Sequence, residues 1–167
     1  MENQAAVQPI VGVQAEKTMK HILIVEGDLL FSVRIETTLK KLGYRTTVIG
    51  NGAKALTHIA ESTAETAPAL VIANFGSGRL DPLPFLEELK SLPNPPLVLG
   101  FVPHGRLPEM RPLLKSAGCD LLVANSAIAA HLPKLVARLL PDSSTGNAPA
   151  PDANVLAAIE TEADTED

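Results

Sequence analysis

Apolar and polar positions fall into alternating blocks along the chain, and each block follows one of two periods. His21 to Val25, Ala69 to Asn74, Leu97 to Val102 and Leu121 to Val123 are nearly continuous apolar runs of strand length. Runs of this kind mark strands buried on both faces of a parallel sheet. Tyr44 to Ile49 is strand-like but more polar, which predicts an edge strand. Between these runs, apolar residues recur at helical spacing: Phe31, Ile35, Leu39 and Leu42; Ala55, Leu56 and Ile59; Phe85, Leu86 and Leu89; Met110, Leu113 and Leu114; Leu132, Leu135, Val136, Leu139 and Leu140. Asp28 is placed to cap the first helix and Gly43 to stop it. Pro93 to Pro96 breaks the third helix, and Pro133 fits the last helix only within a first turn. Five strands alternating with five helices predict an α/β sandwich with short crossovers and a parallel sheet.

The flanks differ from this block. Residues 1–19 are aperiodic and read as a flexible leader; residues 20–140 hold the periodic domain; residues 141–167 read as a disordered acidic tail. Within the tail, Asp152 is placed to cap a short helix near residues 153–160, with Val155, Leu156 and Ile159 on one side. Beside the reading as a disordered tail, such a segment offers the alternative of docking on a partner or on the basic face of its own domain.

Composition narrows the chemistry. Hydrophobic residues make up 46% of the chain and aromatics only 3%, so the core must be built from aliphatic side chains. The net charge of −5 is unevenly spread. Residues 20–140 carry 13 Lys and Arg against 10 Asp and Glu, whereas residues 141–167 carry seven acids and no base. Neither balance supplies the clustered basic face of a nucleic-acid binder. No apolar run approaches the length of a membrane span, and a cytoplasmic location is the expectation. The single cysteine, Cys119, reads as a small buried apolar residue. His21, His58, His104 and His131 lie on separate elements and predict no metal site. Gly76-Ser77-Gly78-Arg79 follows a strand but lacks the spacing and lysine of a phosphate loop.

Residues 20–140 resemble the receiver domain of bacterial response regulators. The fragments that carry the resemblance are Ile22-Leu23-Ile24-Val25-Glu26, Leu42-Gly43-Tyr44, Asn51 to Leu56, Leu80 to Leu86, and Ala117-Gly118. The resemblance implies a flavodoxin-like (βα)5 fold, a doubly wound parallel sheet of strand order 2-1-3-4-5. It also implies a pocket at the carboxyl ends of the strands, where an aspartate accepts phosphate beside magnesium. Carried over by position, the phosphate acceptor falls on Asn74. The acidic pair after the first strand falls on Glu26 and Gly27, followed by Asp28. The hydroxyl at the end of the fourth strand falls on Phe101 or Val102, the lysine on Asn125, and the proline after it on Ser126.

An amide is a poor nucleophile, and magnesium favours carboxylate oxygens. The expectation is therefore a degenerate pseudo-receiver with no enzymatic activity, metal or cofactor, in which Asn74 and Asn125 hold one conformation. It would act as a phosphorylation-independent interaction module in two-component signalling. The partner would be an unidentified signalling protein, docked on the face formed by the fourth helix, fifth strand and fifth helix. Arg106, Arg111, Lys115, Lys134 and Arg138 are the exposed candidates there. A homodimer is left open; nucleic acid and membrane are not expected partners. Two alternatives stand beside this reading: a receiver phosphorylated by an unusual route, and a flavodoxin-like small-molecule or nucleotide binder using the Gly76–Gly78 loop.

Overall fold

The structure, a computed structural model, describes residues 20–141. The leader, the tail and the helix expected near residues 153–160 lie outside the described residues. The chain runs β1 (His21–Val25), α1 (Leu29–Lys41), β2 (Arg45–Ile49), α2 (Gly52–Ala60), β3 (Leu70–Asn74), α3 (Pro82–Lys90), β4 (Leu97–Val102), α4 (Leu107–Ala117), β5 (Leu121–Ala124) and α5 (Asn125–Leu139). A single turn of 3-10 helix, His104–Arg106, leads into α4. All strand pairs are parallel, and the sheet order is β2-β1-β3-β4-β5. This is the flavodoxin-like fold.

Strand alternation sends side chains to two cores. Leu23, Val25, Val71, Ala73, Val98 and Val102 pack with α2, α3 and α4. Ile22, Ile24, Leu70, Ile72, Leu99, Phe101 and Val123 pack with α1 and α5. Because every strand points the same way, all five carboxyl ends meet at one end of the sheet, and the β–α loops there build the site.

Local chemistry sets the element ends. Asp28 accepts a hydrogen bond from Phe31 N at 3.0 Å and caps α1. Gly118 closes α4 at φ +115°, a left-handed conformation suited to glycine, with Lys90 Cγ 2.7 Å from where a Cβ would stand. Asp120 then ties three elements together: its Oδ2 accepts from Val98 N at 2.8 Å and from Lys90 Nζ at 3.0 Å.

Three readings of the sequence are refined or corrected. Leu113 belongs to the apolar repeat of α4 in the sequence, but it is 57% exposed; Leu107, Met110 and Leu114 make the buried face. The last helix, which Ser126 is placed to open in the sequence, starts at Asn125 and breaks at His131 (φ −131°, ψ 22°). That break puts Pro133 in the first turn of the second helical segment, where a missing N–H costs nothing. Arg111 is half-buried rather than exposed, with its Nη2 inside the protein.

Candidate functional site: the carboxyl ends of the strands

β1 delivers Glu26 to the top of the sheet with 4% of its surface exposed. A carboxylate this buried needs hydrogen-bond donors, and it has two. Glu26 Oε2 accepts from Asp28 N at 2.8 Å, and Glu26 Oε1 accepts from Asn74 Nδ2 at 2.9 Å. Asn74 ends β3, and its own Oδ1 accepts from Gly76 N at 3.0 Å. Both ends of the amide are thus engaged, one by β1 and one by the loop after β3.

Gly27 leaves a space, and Arg79 occupies it. A Cβ built on Gly27 would stand 2.6 Å from Arg79 Nη1, so the guanidinium lies where a side chain at position 27 would begin. A cation has taken the place where the resemblance puts a metal-binding carboxylate.

β4 brings Phe101 to the same core face as Ile24 and Ile72, while Val102 turns to the opposite core. Phe101 pairs in register with Asn74, and its carbonyl accepts from Phe75 N at 2.9 Å. Its buried ring stacks edge-on against Phe31 of α1, with centroids 5.4 Å apart at 70°. Neither residue offers a hydroxyl.

Glu26, Asp28, Asn74 and Asn125 line one open cleft of about 370 Å3, together with Leu30, Phe31 and Arg34 of α1. Asn125 Oδ1 is buried and makes no hydrogen bond among the described residues. Of the two amides, Asn74 is thus held from both sides, whereas Asn125 lines the cleft with its Oδ1 unbonded.

The donor set does not fit a magnesium ion. Both oxygens of Glu26 are committed to donors, Asn74 is neutral and committed, and Gly27 has no ligand atom. No cluster of three or more His, Cys, Asp or Glu that could hold a metal occurs among the described residues. A hollow of about 420 Å3 lies under the α2–β3 and α3–β4 connections, at the opposite end of the sheet, and no charged side chain lines it.

Other sequence candidates are placed as follows. Arg106, Lys115, Lys134 and Arg138 are exposed, the first two with α4 and its leading turn, the last two on the second segment of α5. Gly76 is packed so tightly under Pro103 and Val102 that a Cβ would collide with the proline ring. It therefore closes the loop after β3 against the loop after β4. Cys119 is buried, and burial pushes its thiol up to about 11. Arg79 and Arg34 were not foreseen as site residues. For Arg34 a signal existed, since it follows Leu30 by one helical turn.

No protein-family model matches the sequence, and no curated protein matches it. Solved structures do. The receiver domain of the sensor histidine kinase PA1611 from Pseudomonas aeruginosa PAO1, with magnesium coordinated in its active-site cleft, superposes at a TM-score of 0.62. It shares 21% identity over 74% of this chain and 98% of its own. The fold is that of a receiver domain. A response regulator receiver domain protein from Clostridium thermocellum matches this receiver fold at 0.63, with 17% identity over 74% of this chain and 95% of its own. A member of a family of streptococcal redox sensors evolved from two-component response regulators matches at 0.63, with 17% identity. That match covers 73% of this chain and about half, 51%, of the sensor. Among the described residues, no helix of the receiver fold is long and apolar enough to cross a membrane.

Proposed function

We propose that this chain is a pseudo-receiver, a receiver fold that signals by protein–protein contact without phosphoryl transfer. One observation carries the reading. The residue at the carboxyl end of β3 is Asn74, whose amide is bonded to Glu26 on one side and Gly76 on the other. Such an amide offers neither a nucleophilic oxygen nor a charge for a metal. Three neighbours support it: Arg79 covers Gly27, Phe101 buries a ring where a hydroxyl would be needed, and Asn125 brings no positive charge. A switch driven by phosphate requires two states with different contacts; the bonds of Asn74 to Glu26 and Gly76 support a single arrangement held without phosphate.

The streptococcal redox sensors described as evolved from response regulators give a precedent for a receiver fold with a different input. A redox input is not the one proposed here, because the thiol of Cys119 is buried and raised to about 11, away from the reactive thiolate.

The test is incubation with acetyl phosphate and Mg²⁺ followed by intact mass. The expected result is an unmodified chain, with no change in melting temperature on adding Mg²⁺. A stoichiometric gain of one phosphoryl group would overturn the proposal in favour of phosphorylation by an unusual route.

A further inference from the structure

Helix α1 leaves an apolar stripe uncovered. Leu29, Leu30 and Val33 are 75%, 77% and 46% exposed, although the opposite side of the same helix buries Ile35 and Leu39 completely or nearly so. Two neighbouring leucines held this far out of a folded domain, one helical turn from an exposed valine, are an adhesive patch. Cations follow the stripe down the helix: Arg34, Lys40 and Lys41 are all exposed, against the single half-buried Glu36 that pairs with Lys40 at 3.5 Å.

The acidic tail has the same plan. Val155, Leu156 and Ile159 repeat the spacing of Leu29, Leu30 and Val33, and acids follow them: Glu160, Glu162, Asp164, Glu166 and Asp167. Both segments therefore read apolar first and charged second, with opposite signs of charge. Laid parallel, they match stripe to stripe and acid to base.

The chain is long enough. α5 runs beside α1 on the same side of the sheet, and Leu140, just past its end, shares a core cluster with Leu39 and Tyr44. The tail thus leaves from the lower end of α1. The climb to Leu29 is the length of α1, about 20 Å at ~1.5 Å per residue. The ten residues 142–151 span up to about 33 Å when extended.

We propose that residues 152–167 dock on α1, with Val155, Leu156 and Ile159 covering Leu29, Leu30 and Val33 and the acids that follow lying along Lys40 and Lys41. The docked segment covers the α1 wall of the cleft, since Leu30 and Arg34 line it. A partner reading that wall must first displace the tail. The inference does not rest on the chemistry of the cleft, and it replaces the basic α4–β5–α5 face with α1 as the tail's seat.

The experiment compares amide NMR spectra of the full chain and its Leu156→Asp/Ile159→Asp variant, whose changes lie outside residues 20–141. The expected result is shift changes confined to α1 and the cleft rim, independent of protein concentration. A peptide of residues 150–167 added to the variant should restore the wild-type positions, with weaker binding as salt rises. Leu30→Glu in the full chain should produce the same α1 changes while keeping the wild-type melting profile. Identical α1 shifts in wild type and variant would overturn the proposal. So would changes mapping to α4 and β5, or α1 changes that scale with concentration alongside a dimer in sedimentation, which would make a second copy the occupant.

Discussion

Asn74 Nδ2 donates to Glu26 Oε1 at 2.9 Å, joining the carboxyl ends of two adjacent strands, β1 and β3, through a neutral amide and a buried carboxylate. Replacing that donor by an acceptor reverses the interaction. Asn74→Asp would hold two carboxylates at hydrogen-bond distance, one of them 4% exposed. The expected loss of stability is about 2 kcal/mol near neutral pH. Repulsion ends when the pair takes up one proton. The deficit should therefore shrink between about pH 7 and about pH 5, as the folded variant binds a proton that the unfolded chain lacks. Urea titrations at the two pH values check this, and a deficit that grows on acidification would contradict it.

Phe101 gives a second prediction. Phe101→Thr introduces a hydroxyl at the end of β4 but removes a fully buried ring packed on Phe31. Large-to-small changes of this kind cost about 3–5 kcal/mol, from lost burial plus the cavity left behind. The unfolding free energy from urea titration should fall by that amount, through a lower midpoint with the slope unchanged.

His21 predicts a pH dependence of stability. Its Nδ1 lies 2.8 Å from the Thr66 carbonyl oxygen and so carries the proton; Nε2 meets the Thr47 hydroxyl at 2.8 Å. Burial lowers its pKa below the ordinary 6.5, aided by nearby Arg45 and His58 and opposed by the bond to Thr66. The unfolded chain therefore takes up the proton first as pH falls. Stability from this group is full above about 6.5 and is lost as pH drops through the folded value. Comparing wild type with His21→Gln across that range should show an advantage of the wild type that narrows with acidification.

Asp120 is expected to matter more than a surface acid. Asp120→Ala strips the acceptor from Val98 N, in the interior of the sheet, and from Lys90 Nζ together. A loss of about 2 kcal/mol is expected from the orphaned buried donor. Asp120→Asn, which keeps an acceptor oxygen, should recover most of it in the same denaturation assay.

Cys119 should be silent in the native state. With its thiol buried and raised to about 11, labelling by a maleimide should be limited by unfolding and should become immediate in denaturant. Rapid native labelling would return a redox input to consideration.

The sheet was legible because its signal is local. Each strand is a short apolar run between turn residues, and the polar run Arg45–Ile49 was rightly expected at an edge. Helix faces were less so. Leu113 could not be assigned to a face because an apolar residue beside Leu114 fits either side of a narrow stripe, and the exposed Leu29 and Leu30 drew no notice because they precede the repeating pattern. The position of Asn74 at the end of β3 was readable; its bonds to Glu26 and Gly76 were not, since they depend on loop geometry. Arg79 is the furthest from sequence reach: it meets Gly27 across 52 positions, and no periodicity relates the two.

Arg79 over Gly27 also bears on what a new side chain at position 27 would meet. It would displace only the tip of an exposed, flexible arginine, and an acid there would attract it. A carboxylate at 74 repels Glu26, and a hydroxyl at 101 empties the core beneath α1. The three changes therefore differ in sign: an acid at position 27 gains a cationic neighbour, whereas a carboxylate at 74 and a hydroxyl at 101 each cost stability. The order of substitution then matters: Gly27→Asp is the change the domain should accept first, and the other two should be accepted only on a background stabilised elsewhere.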